Sequence, residues 1–173
     1  MTTQILSDKL IAISDLVRLP RQYGTVLVLC PTLWSLFIAT NSRPPLKILG
    51  IFVLGTFLMR SAGCAINDIA DRNFDRFVER TKTRPLADGR LNLKEAVIIF
   101  VILSSLAFAL VLFLNPLTIV LSIIGISLAS IYPFVKRVSH LPQVFLGIAF
   151  GWGAIMAWAA VHNTIGLPAI LIF

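Results

Sequence analysis

Long apolar runs parted by short charged or turn-forming stretches constrain this chain more than any other feature of its sequence. The runs cover residues 23–40, 46–66, 96–114, 117–135 and 144–161, and a sixth starts near Gly166 and stops at Phe173. A run of about 20 apolar residues matches ~30 Å of hydrocarbon, where the backbone must satisfy its own hydrogen bonds and therefore coils into a helix. Only 13% of the residues are charged and 57% are hydrophobic, whereas a soluble domain carries about 25% charge. The expected fold class is an all-α integral membrane protein, one helical bundle over residues 1–173 with five complete spans and the start of a sixth. The final run is too short to cross, so the chain reads as part of a longer protein.

Punctuation between the runs supports this division. Residues 1–21 form a leader in which Ile5, Leu6, Leu10, Ile11, Ile13, Leu16 and Val17 ring a roughly amphipathic helix that Pro20 ends. The spacing suits a helix lying along the membrane surface, and its charges at Asp8, Lys9, Asp15, Arg18 and Arg21 leave no apolar core for a cleavable signal. Pro31 falls inside the first span, residues 41–45 carry two prolines, and Asn115-Pro116 marks a tight turn. Gly147, Gly151 and Gly153 in the fifth span permit close helix packing. Cys30 and Cys64 form no CxxC pair, which argues against a zinc knuckle or a disulfide framework.

The net charge of +7 does not point to nucleic acid, because the basic residues lie between spans instead of striping a soluble face. Thirteen of the fifteen Lys and Arg residues fall in the leader, in residues 60–95 and in residues 136–143; only Arg43 and Lys47 belong to the opposite face. That asymmetry assigns the N-terminus and both charged loops to the cytoplasm and lets them converge on one cavity.

The densest charge lies in residues 67–95, between the second and third spans. Asp68, Asp71 and Asp75 are spaced i, i+3, i+7 and fall within about 60° on a helix, with Asn67 extending the stripe. Carboxylates so placed repel one another unless a cation relieves them, and oxygen-only ligands favour Mg2+, Ca2+ or Mn2+ over zinc. The surrounding Arg and Lys would then meet phosphate oxygens. A salt-bridged interfacial helix, with Asp68–Arg72 and Asp75–Glu79–Lys82 contacts, explains the same pattern without a ligand.

The string NDIADRNFD (67–75) matches the NDxxDxxxD pattern of the UbiA prenyltransferase superfamily. MRSAGC (59–64), RTKTRPLADG (80–89), YPFVKR (132–137) and HLPQVFLGIAFGWG (140–153) resemble its 4-hydroxybenzoate polyprenyltransferase branch. The resemblance implies a helical membrane enzyme that transfers a polyprenyl group from polyprenyl diphosphate to the ring of 4-hydroxybenzoate in ubiquinone or plastoquinone synthesis. It implies that Asn67, Asp68, Asp71 and Asp75 hold Mg2+ against the diphosphate, and that Arg72, Lys82 and Arg84 meet phosphate oxygens. It also implies that Tyr132, Lys136 and Arg137 border the substrate cavity, with Arg137 taking the benzoate carboxylate. The family's second acidic motif has no counterpart, since no Asp or Glu follows Glu95.

Three other readings remain beside this one: a prenyltransferase for another aromatic acceptor, a truncated non-catalytic subunit, and a transporter or channel component. The last predicts ionisable groups near mid-span, and the spans after Glu95 contain none.

Overall fold

A computed structural model describes residues 2–173, with the side chains of Thr2, Thr3 and Ile5 left outside the description; the expected apolar role of Ile5 therefore lies outside the described residues. Seven helices follow in order: α1 (Thr2–Leu16), α2 (Tyr23–Ala39), α3 (Leu46–Asp75), α4 (Leu93–Val111), α5 (Pro116–Val138), α6 (Pro142–His162) and α7 (Leu167–Ile172). The described residues contain no strand.

Four of these helices, α3 to α6, are long and apolar enough to cross a membrane. The 17-residue α2 is apolar but shorter, about 25 Å long and near the lower limit for a crossing. Val97, Ile98, Val101, Ile102 and Leu106 on α4 and Val120, Ile123, Ile124 and Ile131 on α5 are exposed. An apolar surface that extensive suits lipid, not water. The chain is an integral, multi-pass membrane protein.

The second span does not stop at Ile66. Helix α3 runs on through the acidic stripe to Asp75, 30 residues in all, because no proline or glycine interrupts it after Gly63. At 1.5 Å per residue it is about 45 Å long, so its last turns project beyond ~30 Å of hydrocarbon. The leader helix ends at Leu16, ahead of Pro20, and Arg18 takes a left-handed conformation at φ 59°. Residues 93–95, expected in the charged loop, already belong to α4. That helix starts with a capping box in which Asn92 Oδ1 accepts from Glu95 N and Glu95 Oε2 accepts from Asn92 N.

Helix α3 packs chiefly on α4, α2 on α6, and α5 on α6. One apolar cluster joins Ala12 and Leu16 of α1 to Ala65 and Ile69 of α3, Leu91 and Ala96. It lies at the charged end and seats the leader against the bundle. Polar ties cross the other interfaces: Ser35 Oγ donates to the Ala154 carbonyl at 2.7 Å, Asn115 Nδ2 to Ala159 at 2.7 Å, and Trp152 Nε1 to Leu121 at 2.8 Å. His162 Nε2 donates to the Ala39 carbonyl at 3.0 Å. In hydrocarbon such bonds have no water to compete with and hold helices that apolar contact alone would not register.

The three α6 glycines do different things. Gly153 meets α2, where an added Cβ would lie 2.0 Å from Thr32 Oγ1, and Gly151 meets Phe173. Gly147 has open space around it and serves no close contact. Gly153→Ala is therefore expected to destabilise the bundle by about 1–3 kcal/mol. Adding Thr32→Ala should recover part of the loss, as read from thermal unfolding in detergent.

Candidate functional site

Asn67, Asp71, Asp75 and Asp68 cover an arc of about 100° on the projecting end of α3. Asp68 and Asp75, two turns apart, stand almost in line, and Asn67 and Asp71 form an i, i+4 pair at the other edge. The structure divides the stripe accordingly. Arg18 Nη2 donates to both oxygens of Asp68, at 2.9 and 3.0 Å. Arg84 Nη1 lies 3.1 Å from Asp68 Oδ1 and 2.8 Å from Asp75 Oδ2, so one guanidinium bridges the two in-line carboxylates. At the other edge Lys136 Nζ donates to Asn67 Oδ1 and to Asp71 Oδ2, at 2.6 Å each. Asn67 Nδ2 also donates to Asp71 Oδ2 at 3.2 Å. Arg137 Nη2 donates to Asp71 Oδ1 at 3.1 Å and to the Ala70 carbonyl, and its guanidinium lies 4.8 Å from the Phe74 ring centre.

These contacts converge from distant parts of the chain. Arg18 follows α1, Arg84 lies in the loop after α3, and Lys136 and Arg137 end α5. Further pairs hold the leader in place: Lys9 Nζ to Glu95 Oε1 at 2.7 Å, and Arg90 to Asp15 and Asp88 at 2.6 and 2.7 Å. Hydrogen bonds to Asp15 and Asp88 push the Arg90 guanidinium further toward its charged form. Of the contacts expected for a self-paired helix only Glu79–Lys82 forms, at 2.7 Å and well exposed. Arg72 turns back to the Ile69 carbonyl at 2.8 Å instead of meeting Asp68.

The stripe stands at the mouth of a cavity of about 920 Å³. Asn67, Asp68, Arg84 and Tyr132 line it, as do Arg18 and Arg21 from the leader. Asp71, Asp75, Arg72, Lys82, Lys136 and Arg137 are not among its lining residues. Deeper in, the walls are largely apolar and aromatic and include Phe52, Phe108, Phe150 and Trp152.

Arg60, two helical turns below Asn67, also lines this cavity. It has no carboxylate partner among the described residues. Its Nη1 donates to Cys64 Sγ, and its Nε is buried with no hydrogen-bond partner. Gly24 leaves it room, since a Cβ there would lie 2.7 Å from the guanidinium. A buried donor left open in a cavity suits an anionic ligand group. Arg60 falls inside the second apolar run, where an unpaired charge is expensive, and that expense is the sequence signal for it. Nothing local marked Arg18.

The oxygen chemistry of the stripe can be tested against a hard divalent cation. Among the described residues no three His, Cys, Asp or Glu side chains form a ready-made metal cage. Yet Asn67 Oδ1 and Asp71 Oδ2 already converge on one cation, the Lys136 ammonium. Two such oxygens fit Mg2+, which takes few protein ligands and completes its shell with water and phosphate oxygens.

A polar, doubly charged rim over an apolar cavity within a membrane bundle describes a site for an amphiphile with an anionic head. The chain belongs to the UbiA prenyltransferase family, whose model matches residues 28–173. It is 54% identical over 169 residues to 4-hydroxybenzoate octaprenyltransferase of Vibrio atlanticus, covering 98% of this chain and 59% of that one. It is 50% identical over 173 residues to the enzyme of the same name from Alkalilimnicola ehrlichii, covering 100% and 59%. The chain thus spans about three fifths of the length of these curated relatives. Among solved structures, the apo form of a UbiA homolog from Aeropyrum pernix superposes with a TM-score of 0.73 at 29% identity, covering 87% of this chain and 55% of that one. A UbiA homolog from Archaeoglobus fulgidus, solved bound to DMAPP and Mg2+, has the same fold at 16% identity, with a TM-score of 0.68 and 88% and 55% covered.

The burial of the rim pairs sets their expected energetics. Arg84→Met leaves the buried Asp75 without its cation and Asp68 with Arg18 alone, and should destabilise the fold by about 2 kcal/mol or more. Lys82→Met breaks only an exposed pair and should change stability by less than about 0.5 kcal/mol. Parallel thermal unfolding of the two variants measures the difference.

Proposed function

We propose that this chain forms the site of an Mg2+-dependent membrane enzyme that transfers a polyprenyl group from polyprenyl diphosphate to the ring of 4-hydroxybenzoate, as in ubiquinone biosynthesis. The observation that carries the reading is the cavity: a mixed carboxylate and guanidinium rim opening onto an apolar interior whose wall holds Arg60, which has no carboxylate partner among the described residues. The names of the curated relatives, and the DMAPP and Mg2+ bound to a solved relative, support it.

In this reading Asn67 and Asp71 hold the metal ion, with Asp68 and Asp75 beside them. Bound Mg2+ would neutralise charge on the leaving diphosphate. Arg84 and Arg18, both at the lining, stay on Asp68 and present their remaining N–H groups to phosphate oxygens. Four cations already face three carboxylates at the rim, and this surplus favours an anion. Arg72 and Lys82 stand outside the lining and contribute to the field that draws the diphosphate in. The prenyl C–O bond breaks with its electron pair leaving on the diphosphate, the ring carbon ortho to the hydroxyl forms the new C–C bond, and that carbon then gives its proton to the departing diphosphate, which restores the aromatic ring. Aromatic walls at Phe52, Phe108 and Phe150, with Tyr132 nearer the rim, keep water away and stabilise the allylic cation through their ring faces.

Arg60 is the better-supported partner for the acceptor's carboxylate. Arg137, expected in that role from sequence, is held by Asp71, the Ala70 carbonyl and Phe74 and does not line the cavity. In this reading the rim faces the cytoplasm, which the concentration of Lys and Arg there supports.

Arg60→Met is expected to raise KM for 4-hydroxybenzoate about tenfold or more through loss of a charge-assisted hydrogen bond. KM for the prenyl diphosphate should change little, and Asp71→Asn should lower kcat by about 10²–10³. Steady-state prenyl transfer in membranes reads all three. A rise in acceptor KM in Arg137→Met, with none in Arg60→Met, would reverse the carboxylate assignment.

A further inference from the structure

Lys136 and Arg137 are neighbours at the end of α5, yet they are held differently. Arg137 is fastened on three sides, by Asp71 Oδ1, the Ala70 carbonyl and the Phe74 ring. It pins the end of α5 to α3. Among the described residues Lys136 has Asn67 Oδ1 and Asp71 Oδ2 as its hydrogen-bond partners, at 2.6 Å each. Its side chain is 23% exposed, and its four-carbon stem can swing about the pinned helix end. Asn67 and Tyr132, on either side of it, both line the cavity. An anion arriving at the mouth therefore comes within reach of the ammonium group.

The two oxygens that Lys136 holds are the ones assigned above to the divalent cation, and the inference rests on that reading. An ammonium nitrogen at 2.6 Å and a Mg2+ ion at about 2.1 Å from the same oxygens occupy the same space and cannot be present together. We propose that Lys136 is a tethered placeholder: in the substrate-free protein its ammonium fills the cation position, and it moves onto a phosphate oxygen when a diphosphate enters. Bare Mg2+ must then compete with a cation already attached to the chain, whereas a diphosphate offers that cation a new partner as it brings the metal in. Metal and diphosphate load together. The uncomplexed rim stays neutralised, with the ammonium group covering Asp71 Oδ2.

The test is Mn2+ binding followed by electron paramagnetic resonance on the full chain in phospholipid nanodiscs, without prenyl substrate. If Lys136 fills the position nine-tenths of the time, Lys136→Met should bind Mn2+ alone about tenfold more tightly than the unaltered protein. Lys136→Arg, which keeps the charge, should stay close to the unaltered affinity. Inorganic pyrophosphate should raise Mn2+ affinity strongly in the unaltered protein and much less in Lys136→Met. Equal or weaker Mn2+ binding by Lys136→Met overturns the proposal, as does an equal gain in Lys136→Arg. Asp71→Asn separates the two levels. If it leaves Mn2+ binding unchanged, the metal assignment itself fails; if it abolishes binding while Lys136→Met matches the unaltered protein, only the placeholder fails. A second measurement needs no variant: saturating Mn2+ should speed acylation of Lys136 by an N-hydroxysuccinimide ester, read by mass spectrometry, and an unchanged rate overturns the proposal.

Discussion

One buried carboxylate organises the charged end of this protein. Asp68 is 1% exposed, so its charge depends on the guanidinium groups that surround it. Those groups come from two other places, Arg18 beyond the leader helix and Arg84 in the loop after α3. The requirement to neutralise Asp68 thus draws the leader, the long helix and the charged loop to one point. The apolar cluster of Ala12, Leu16, Ala65, Ile69 and Leu91 forms directly beneath that junction. Charge and packing are coupled there: loosening either exposes the other.

The second constraint comes from lipid. Helices in hydrocarbon gain little from burying apolar side chains against one another, since lipid is equally apolar. The bundle is held instead by close backbone approach and by inter-helix hydrogen bonds. Gly153 against Thr32, Ser35 to Ala154 and Asn115 to Ala159 are examples. The same constraint explains the cavity. Small and hydroxyl-bearing residues line part of its wall, among them Gly55, Gly63, Ser104, Ser105 and Gly125. Five helices can therefore surround an open volume without their side chains filling it.

The site is built as a gradient. Its mouth carries paired charge, its walls below turn apolar, and one guanidinium, Arg60, stands part-way down. A molecule with an anionic head and a hydrocarbon tail fits that order of surfaces, and a second, smaller anion has its own partner. The split of the acidic stripe adds a division of labour. Asp68 and Asp75 are gripped by arginines from the leader and the charged loop, while Asn67 Oδ1 and Asp71 Oδ2 meet Lys136, with Arg137 on the other oxygen of Asp71.

Much of this is legible in the amino-acid sequence. The apolar runs announced the helices, because the period and length of hydrophobic sequence are local properties set by backbone hydrogen bonding in lipid. The i, i+3, i+7 spacing announced that the carboxylates share one arc, because 100° per residue is also local. Helix α3 ran past its expected end at Ile66, since a charged residue does not stop a helix once it leaves the bilayer. What the residues alone could not decide is which cation meets which carboxylate. Arg18 and Asp68 are 50 positions apart, and Lys136 and Asp71 are 65 apart. Many Lys and Arg residues were equally available by composition. Only the packing of α1 and α5 against α3 selected among them, and only that packing left Arg60 facing a cavity with its Nε unsatisfied.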